Sequence, residues 1–138
     1  MDGENKISGC TWVNNELINS INQYCAAILD PTDRKGVTSP TAAYQGGIAG
    51  IADATVAPGK TGGFTTAGIC YALAGAAITP EPAGTATYLV IGDTDGRLVK
   101  HPGGGAFYPI VGTLVGTGAS QANDVIVIQL MLNVEIYS

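Results

Sequence analysis

Charged side chains are scarce in this chain of 138 residues, of which Asp, Glu, Lys and Arg together make up 12%. That is about half the share found in ordinary soluble domains. The net charge is −5, and the six basic residues form no stripe along the sequence: Lys6, Arg34, Lys35, Lys60, Arg97 and Lys100. This pattern argues against nucleic-acid binding, which depends on neutralising phosphates. It also argues against a lipid-surface role, which needs clustered Lys and Arg.

Cysteine and histidine are few as well. Cys10, Cys25 and Cys70 are odd in number and form no CxxC pair, which argues against a disulfide framework and a structural zinc site. Cys25 and Cys70 fall in apolar segments, where we expect small core residues rather than nucleophiles. His101 stands alone before Pro102 and three glycines, so we expect an exposed loop histidine. The sequence therefore predicts no metal and no cofactor.

Long apolar runs are missing too. The longest one, residues 125–132, is interrupted by Gln129 and is far shorter than a membrane span. The first residues, MDGENK, are polar and lack the apolar stretch of a signal peptide. We therefore expect a protein that is made in a reducing cytoplasm and stays soluble until it is assembled.

Hydrophobic residues nevertheless make up 46% of the chain, so many exposed positions must carry Thr, Ser, Gly, Ala or Asn. Burying a charge is costly, whereas burying a threonine is not. A surface so poor in charge is suited to burial against other protein chains. We expect association with partners or with further copies of the chain; the alternative is a monomer with a bland surface.

The segment from Trp12 to Leu29 has the spacing of an amphipathic helix. Its apolar side chains recur as on one helical face, at Leu17, Ile21, Tyr24, Cys25 and Ile28. Asn14 or Asn15 can cap the start, and the residue before Pro31 is driven out of the helical region. We predict one α-helix over about residues 14–29, preceded by a leader and followed by a linker, so that residues 1–46 form an N-terminal unit. A helix this short is marginal alone, so it must dock on the rest of the chain or on copies of itself.

From residue 47 onward the sequence predicts β-strands only, over residues 48–56, 64–73, 87–91, 97–100, 107–115 and 124–137. Residues 92–96, GDTDG, have the composition of a hairpin turn. The last strand alternates, with one face apolar throughout: Ile126, Ile128, Leu130, Leu132, Val134 and Ile136. Short strands with turns between them favour a small antiparallel β-barrel or sandwich. The predicted fold is therefore mainly β, with residues 47–138 as a barrel or sandwich domain after one N-terminal α-helix.

Two short motifs could carry chemistry but lack the context for it. Residues 54–61, ATVAPGKT, match a loose phosphate-loop pattern, yet a strand-like stretch follows Lys60 where that loop needs a helix. Residues 93–96, DTDG, resemble half of a calcium loop without its remaining ligands. The sequence thus offers no catalytic residue, and we expect no enzyme; a nucleotide hydrolase using Lys60 and Thr61 is the enzymatic alternative.

Residues 47–132 resemble a family of small head proteins of tailed bacteriophages, of the capsid decoration or cement type. The resemblance lies in the layout of short segments: 47–54 (GIAGIADA), 63–68 (GFTTAG), 72–79 (ALAGAAIT), 89–99 (LVIGDTDGRLV), 110–115 (IVGTLV) and 123–130 (NDVIVIQL). It implies a structural virion protein on the outer capsid surface, made in the host cytoplasm. The implied partners are the major capsid protein and the chain itself, as a homotrimer.

A second resemblance covers residues 11–21 (TWVNNELINSI) and 28–33 (ILDPTD), which are similar to a helical segment of phage tail-fibre and related virion proteins. It implies the alternative of a tail-fibre, baseplate or head-fibre module that binds a host receptor or glycan. The two resemblances agree on a virion component and differ on head or tail. We expect the contacts with the capsid or with other copies at Trp12, Leu17, Ile21, Tyr24 and Ile28; packing within one subunit would explain these residues as well.

Overall fold

Ten β-strands make up the regular structure in a computed structural model of the protein, which describes residues 9–33 and 35–137. Their bounds are β1 Gly9–Asn14, β2 Ala26–Leu29, β3 Gly36–Thr38, β4 Ile48–Ala52, β5 Thr61–Thr65, β6 Ile69–Leu73, β7 Tyr88–Ile91, β8 Leu98–Lys100, β9 Phe107–Val115 and β10 Val125–Tyr137. The mainly β prediction is confirmed. No helix among the described residues is long and apolar enough to cross a membrane.

The first five strands close into a barrel in the order β1-β3-β2-β4-β5. β1 pairs with β3 in parallel, and the other neighbours pair antiparallel. Phe64 is fully buried inside the barrel, and its core also contains Ile21, Ala27, Val37, Ala49, Ala52 and Val56. Closure of the barrel pairs every strand on both sides, so the barrel presents no open sheet edge.

The last five strands form an antiparallel sheet in the order β6-β10-β9-β7-β8. One face of this sheet packs against the barrel, because a single apolar core contains residues of both units. The barrel contributes Ala26, Ile28, Ile48 and Ile51, and the sheet contributes residues that include Leu89, Ile126 and Ile128. The sheet is therefore covered on its inner side by the barrel.

The predicted α-helix over residues 14–29 is wrong, because residues 9–14 form β1, residues 15–20 form a loop and residues 26–29 form β2. The apolar positions do not share a face: Leu17 is exposed, whereas Ile21 is buried. The side-chain oxygen of Asn14 accepts a hydrogen bond from the backbone N–H of Glu16. This local bond stabilises a non-helical conformation in place of the helix. Tyr24 has a φ of 67°, which no right-handed helix accommodates. The ladder bonds of β1 and β2 outweigh a helix that is marginal on its own.

β10 confirms the long final strand, with one difference in its alternation. Ile126, Ile128 and Leu130 face the core as expected. A bulge between Leu130 and Val134 then shifts the register against β9, and Val134 is 42% exposed. An extra residue in one strand of a pair has this effect, so the predicted apolar face does not continue at Val134, and the side chain of Ile136 lies outside the described part of the structure.

Asn133 makes this bulge a link between the two units. It adopts a φ of 64°, which Asn tolerates better than most residues. Its side chain accepts a hydrogen bond from the Ile48 N–H at 2.8 Å and donates one to the Ile48 carbonyl at 3.0 Å. The Asn133 side chain at the bulge therefore provides hydrogen-bond partners for the backbone of β4 from a strand outside the barrel.

Two other sequence expectations concern the division of the chain. The strand expected over residues 64–73 is two strands, since Gly68 turns with a φ of 85° between β5 and β6. The expected boundary between residues 46 and 47 falls between β3 and β4 of the barrel, and the division into domains stays a prediction. Residues 1–8 of the expected leader lie outside the described residues.

The hairpin expected at residues 92–96 is confirmed by the pairing of β7 with β8. The Asp93 carboxylate accepts hydrogen bonds from the backbone N–H groups of Asp95 and Arg97. Gly96, with a φ of 84°, lies so close to the barrel that its carbonyl accepts the Ala26 N–H at 2.8 Å. A Cβ at position 96 would collide with the carbonyl oxygen of Ala26.

We expect Gly96→Ala to destabilise the fold much more than Gly84→Ala. Gly84 has nearly the same φ, 87°, but open space around it, so alanine there costs only the backbone strain, about 1–2 kcal/mol. Gly96→Ala adds the collision and the loss of the Ala26 hydrogen bond, for a total of about 3 kcal/mol or more. Denaturant unfolding of both variants measures this difference. Equal unfolding midpoints would show that the contact of the turn with Ala26 does not contribute to stability.

Candidate binding surfaces

The second sheet turns a large uncharged apolar area outward. The register places Tyr71 beside Val127 and Val115, and Ile69 beside Gln129 and Thr113. The exposed side chains on this side are Ile69, Tyr71, Val115, Val125 and Met131, between 39% and 62% exposed. We call these five residues, with Thr113, Val127 and Gln129 between them, the outer face. The barrel covers the other side of the sheet. The outer face therefore lies on the side away from that shared core, and only Ile69 and Tyr71, on the edge strand β6, also border the barrel.

A second apolar feature lies on the barrel, in the loop between β1 and β2. Leu17 is 93% exposed and Ile18 is 85% exposed, more than any other large hydrophobic residue that the structure describes. We call this pair the apical tip. Single exposed apolar residues are common, but two in succession on an ordered loop are not dictated by folding.

Buried hydrogen bonds hold the loop that carries the apical tip. Asn14 is fully buried, and its side-chain amide donates to the carbonyls of Asn19 and Val56 at 3.1 and 2.9 Å. Its side-chain oxygen accepts the Glu16 N–H at 2.9 Å. The Glu16 carboxylate in turn accepts the Ser39 N–H at 3.0 Å. Both ends of the loop are thus tied to the barrel through one amide side chain.

Asn15 adds a further tie, by donating to the Asp30 carboxylate at 3.0 Å. The Thr32 N–H and hydroxyl also donate to Asp30, and these bonds, together with the one from Asn15, hold the pKa of Asp30 below its usual value. Asp30 therefore stays ionised and keeps accepting these bonds at any pH near neutrality.

A cleft of about 240 Å³ lies where the barrel meets the edge of the second sheet. We call it the junction cleft. Tyr24 and Tyr71 line it with ring centroids 5.5 Å apart and planes tilted by 59°. Ile51 and Ile69 also line it, together with Asp53, whose carboxylate accepts a hydrogen bond from the Thr65 hydroxyl. Tyr24 holds a φ of 67°, a strained conformation for a non-glycine residue.

The five residues expected as contacts occupy different places. Ile21 and Ile28 are buried in the two cores, where they pack within one chain. Trp12 is partly buried against the barrel core, and its indole N–H has no hydrogen-bond partner among the described residues. Tyr24 lines the junction cleft, and Leu17 is in the apical tip. The structure does not bring them together, and their role as partner contacts stays a prediction.

His101 is buried, at 7% exposure, and the expectation of an exposed loop histidine is wrong. Its Nδ1 accepts the Gly103 N–H at 3.0 Å, and its ring lies 5.5 Å from that of Tyr108. Tyr108 stacks on Tyr44 at 4.5 Å. Sequence reasoning missed this cluster because Tyr44 and Tyr108 are 64 positions apart in the chain and only the fold joins them.

Neither the phosphate-loop-like motif nor a group of metal-ligating side chains forms a site among the described residues. Lys60 closes a turn by donating its N–H to the Ala57 carbonyl, and β5 begins at Thr61, so a strand follows the phosphate-loop-like residues. Within residues 9–33 and 35–137, no three His, Cys, Asp or Glu side chains group in a way that could hold a metal ion.

Comparison with known proteins finds a likeness in structure but none in sequence. No family model matches the chain, and no curated protein matches it. A solved structure that does match is the N-terminal base of the head fibre gp8.5 of bacteriophage phi29, with a TM-score of 0.62 and 15% sequence identity. The match covers 93% of this chain and 98% of that one. The chain therefore has the fold of a phage head-fibre base over nearly its whole length.

We expect the three thiols to differ in reactivity. Burial raises the pKa of Cys25 to about 11, helped by the nearby carboxylates of Asp93 and Asp95, and burial alone raises the pKa of Cys70 to about 11. Cys10 is exposed. At pH 8 iodoacetamide should label one thiol per native chain and three per unfolded chain, as counted by mass spectrometry.

Labelling of native Cys25 and Cys70 should become appreciable only as the pH approaches 11, and Cys10→Ser should abolish the reaction of the native chain at pH 8. Rapid labelling of Cys70 at pH 8 would contradict the expectation that it is an unreactive core residue.

Proposed function

We propose that this chain is a non-enzymatic structural protein of a tailed bacteriophage, attached to the outer surface of the capsid as a decoration or head-fibre-base subunit. The observation that carries the proposal is the outer face, an uncharged apolar surface on a fold that matches a phage head-fibre base. One fold can host many functions, and the chemistry of the outer face adds specific support for docking on a protein surface.

The size of the outer face supports a docking role. Its five exposed apolar side chains present roughly 500 Å² of surface, near the upper end of what monomers leave uncovered. None of the eight side chains is charged, so a protein partner can cover them without stripping water from an ion. Tyr71 and Met131 are of the residue types enriched in interface centres.

Copies acting together would make the attachment firm. Roughly 500 Å² is less than the ~800 Å² per partner of a standard stable interface. A homotrimer of the chain would place three such faces against the shell at once, and linked sites bind far more tightly than single ones. We propose that the major capsid protein is the partner and that the trimer is the unit that binds it.

We expect purified protein to bind to particles of its phage from which its own gene has been deleted, with saturation at a fixed number of copies per particle. Val125→Lys should weaken this binding at least tenfold, because it replaces an exposed apolar side chain of the outer face by a charge that a partner must desolvate. Co-sedimentation with the particles measures the affinity, and electron microscopy locates the bound copies.

Thr117→Lys is the matched control, since it adds the same charge at an exposed position outside the outer face and should leave binding unchanged. Failure of the unmodified protein to bind particles at micromolar concentration would overturn the proposal. So would location of the protein on the tail alone.

A second candidate is a head-fibre or tail module that binds a host receptor glycan, and the junction cleft favours it. Sugar rings stack their apolar faces on tyrosine, while a carboxylate accepts their hydroxyl groups. Tyr71 is 53% exposed beside the Asp53 carboxylate, and the cleft has room for about one sugar ring.

If the junction cleft binds a glycan, a glycan array should identify a ligand whose binding falls at least tenfold in Tyr71→Ala. Loss of the apolar ring surface against the sugar is the physical reason: burying a large apolar side chain contributes roughly 1.5–3 kcal/mol, and ~1.4 kcal/mol corresponds to a tenfold change in affinity. Phe107→Ala, which removes an exposed aromatic ring outside the cleft, should bind normally. An array without any ligand would dispose of this candidate.

A further inference from the structure

We propose that the free edge of β6 takes up an extended segment of the capsid partner, which adds to the second sheet as a further β-strand. This inference rests on the proposed function and specifies how the partner of the outer face is held. The main-chain groups of Ile69 and Tyr71 bind the added strand, while the side chains of the same two residues belong to the outer face.

The register of β6 on β10 determines which main-chain groups of β6 are free. The Leu130 N–H donates to the Gly68 carbonyl at 2.9 Å, and the Ala74 N–H donates to the Asp124 carbonyl at 2.9 Å. In an antiparallel pair, residues that bond to the partner strand alternate with residues that do not. The even-numbered residues of β6 therefore face β10 with their main chain, and the odd-numbered residues face away from it.

The odd-numbered residues of β6 are Ile69, Tyr71 and Leu73. The Leu73 N–H donates to the Tyr24 carbonyl of the barrel at 3.0 Å, which closes the edge at that end. Within residues 9–33 and 35–137, no hydrogen bond reaches the main-chain N–H or C=O of Ile69 or Tyr71. These groups are spaced as one strand presents them to the next, and they form a template for another main chain.

The junction cleft provides the room that an added strand needs. Neighbouring strands lie ~4.8 Å apart, so pairing requires open space next to the edge. The cleft of about 240 Å³ is lined by Ile69, Cys70 and Tyr71 of β6 and by Ile51 and Ala52 of β4. Since side chains alternate along a strand, every second side chain of the added segment lies on the barrel side, where an apolar residue fits.

Two other edges of the second sheet are protected against pairing. β8 carries Lys100 and is covered by residues 74–75, which bridge and bond to Leu98. The far end of β10 has its bulge and the exposed Glu135. Charges, bulges and covering segments are devices that keep sheet edges from pairing. Residues 69–71 carry no charge and no bulge, as expected of an edge that is paired when the protein is bound.

Continuity with the outer face identifies the source of the added strand. Ile69 and Tyr71 belong both to the outer face and to the junction cleft. The capsid partner that we propose to cover these two side chains therefore lies next to their main chain as well. A sugar offers hydroxyl groups but no repeat of N–H and C=O at strand spacing, so it matches this edge less well than an extended protein segment does.

Ile69→Pro and Ile69→Ala separate the main-chain bond from the apolar contact. Both variants remove the Ile69 side chain from the outer face, but only proline removes the N–H. Ile69 is the first residue of β6 and its N–H faces away from β10, a position where proline is tolerated. In co-sedimentation with phage particles that lack the gene of this protein, we expect Ile69→Pro to bind at least tenfold more weakly than Ile69→Ala, because a carbonyl of the added strand is left without its donor.

The oligomeric state of both variants is measured by sedimentation velocity. The two should have the same state, so that any avidity of a trimer cancels from the ratio of their affinities. Denaturant unfolding of both variants checks that they are folded.

Hydrogen exchange tests the same bond without any substitution, and it decides the matter if Ile69→Pro is unstable. The Tyr71 amide of the unmodified protein should exchange at least tenfold more slowly on saturated particles than in the free protein, because a carbonyl of the added strand accepts its hydrogen bond. The amide of Thr117, an exposed residue outside the outer face, is the control and should exchange at the same rate in both states.

Equal binding of two folded Ile69 variants, or unchanged exchange of the Tyr71 amide on particles, would overturn the inference and leave the proposed function standing. Loss of self-association in Ile69→Pro alone would make the edge a contact between copies and would overturn it too. So would slower Tyr71 exchange with a glycan but not with particles. If the unmodified protein does not bind particles at all, the proposed function fails and the inference with it.

Discussion

The apolar core shared by the barrel and the second sheet is the contact on which the rest of the structure depends. The side chains of Ile28 and Ile51 in the barrel strands lie in the same core cluster as those of Ile126 and Ile128 in the sheet. The sheet has two sides and the barrel covers only one. The docking role proposed for the outer face follows from that asymmetry, because exposed apolar side chains of β6, β10 and the end of β9 lie on the side that the barrel does not cover.

The regularity of the second half could be read from the sequence, because its strands obey local rules. β9 and β10 alternate over long stretches, and Asp and Gly mark the turn between β7 and β8. Side-chain period and turn chemistry act within a few residues. The bulge at Asn133 breaks that period for a reason outside β10. The Asn133 side chain binds the backbone N–H and carbonyl of Ile48 in β4, a long-range contact that no local sequence pattern indicates.

The first half could not be read in this way, and the apical tip shows why. Leu17 and Ile21 have helical spacing, but Leu17 is exposed, whereas Ile21 is buried and forms an isolated β-bridge with Val56. Asn14 decides between these arrangements by bonds to residues 5 and 42 positions away. The junction cleft likewise needs Tyr24 and Tyr71 from different units. Surfaces formed by long-range contacts are invisible to periodicity.

The few charges of the described residues lie apart from the apolar outer face. Asp93, Asp95 and Arg97 form ion pairs in a turn, and Glu81 pairs with Lys100 near a strand end, so charge is kept in turns and at strand ends. A net charge of −5 repels other copies at long range. The outer face itself carries none, so a partner that reaches it meets no charge to desolvate. Net charge thus acts between the proposed trimers at long range, whereas the outer face contributes only apolar burial at contact.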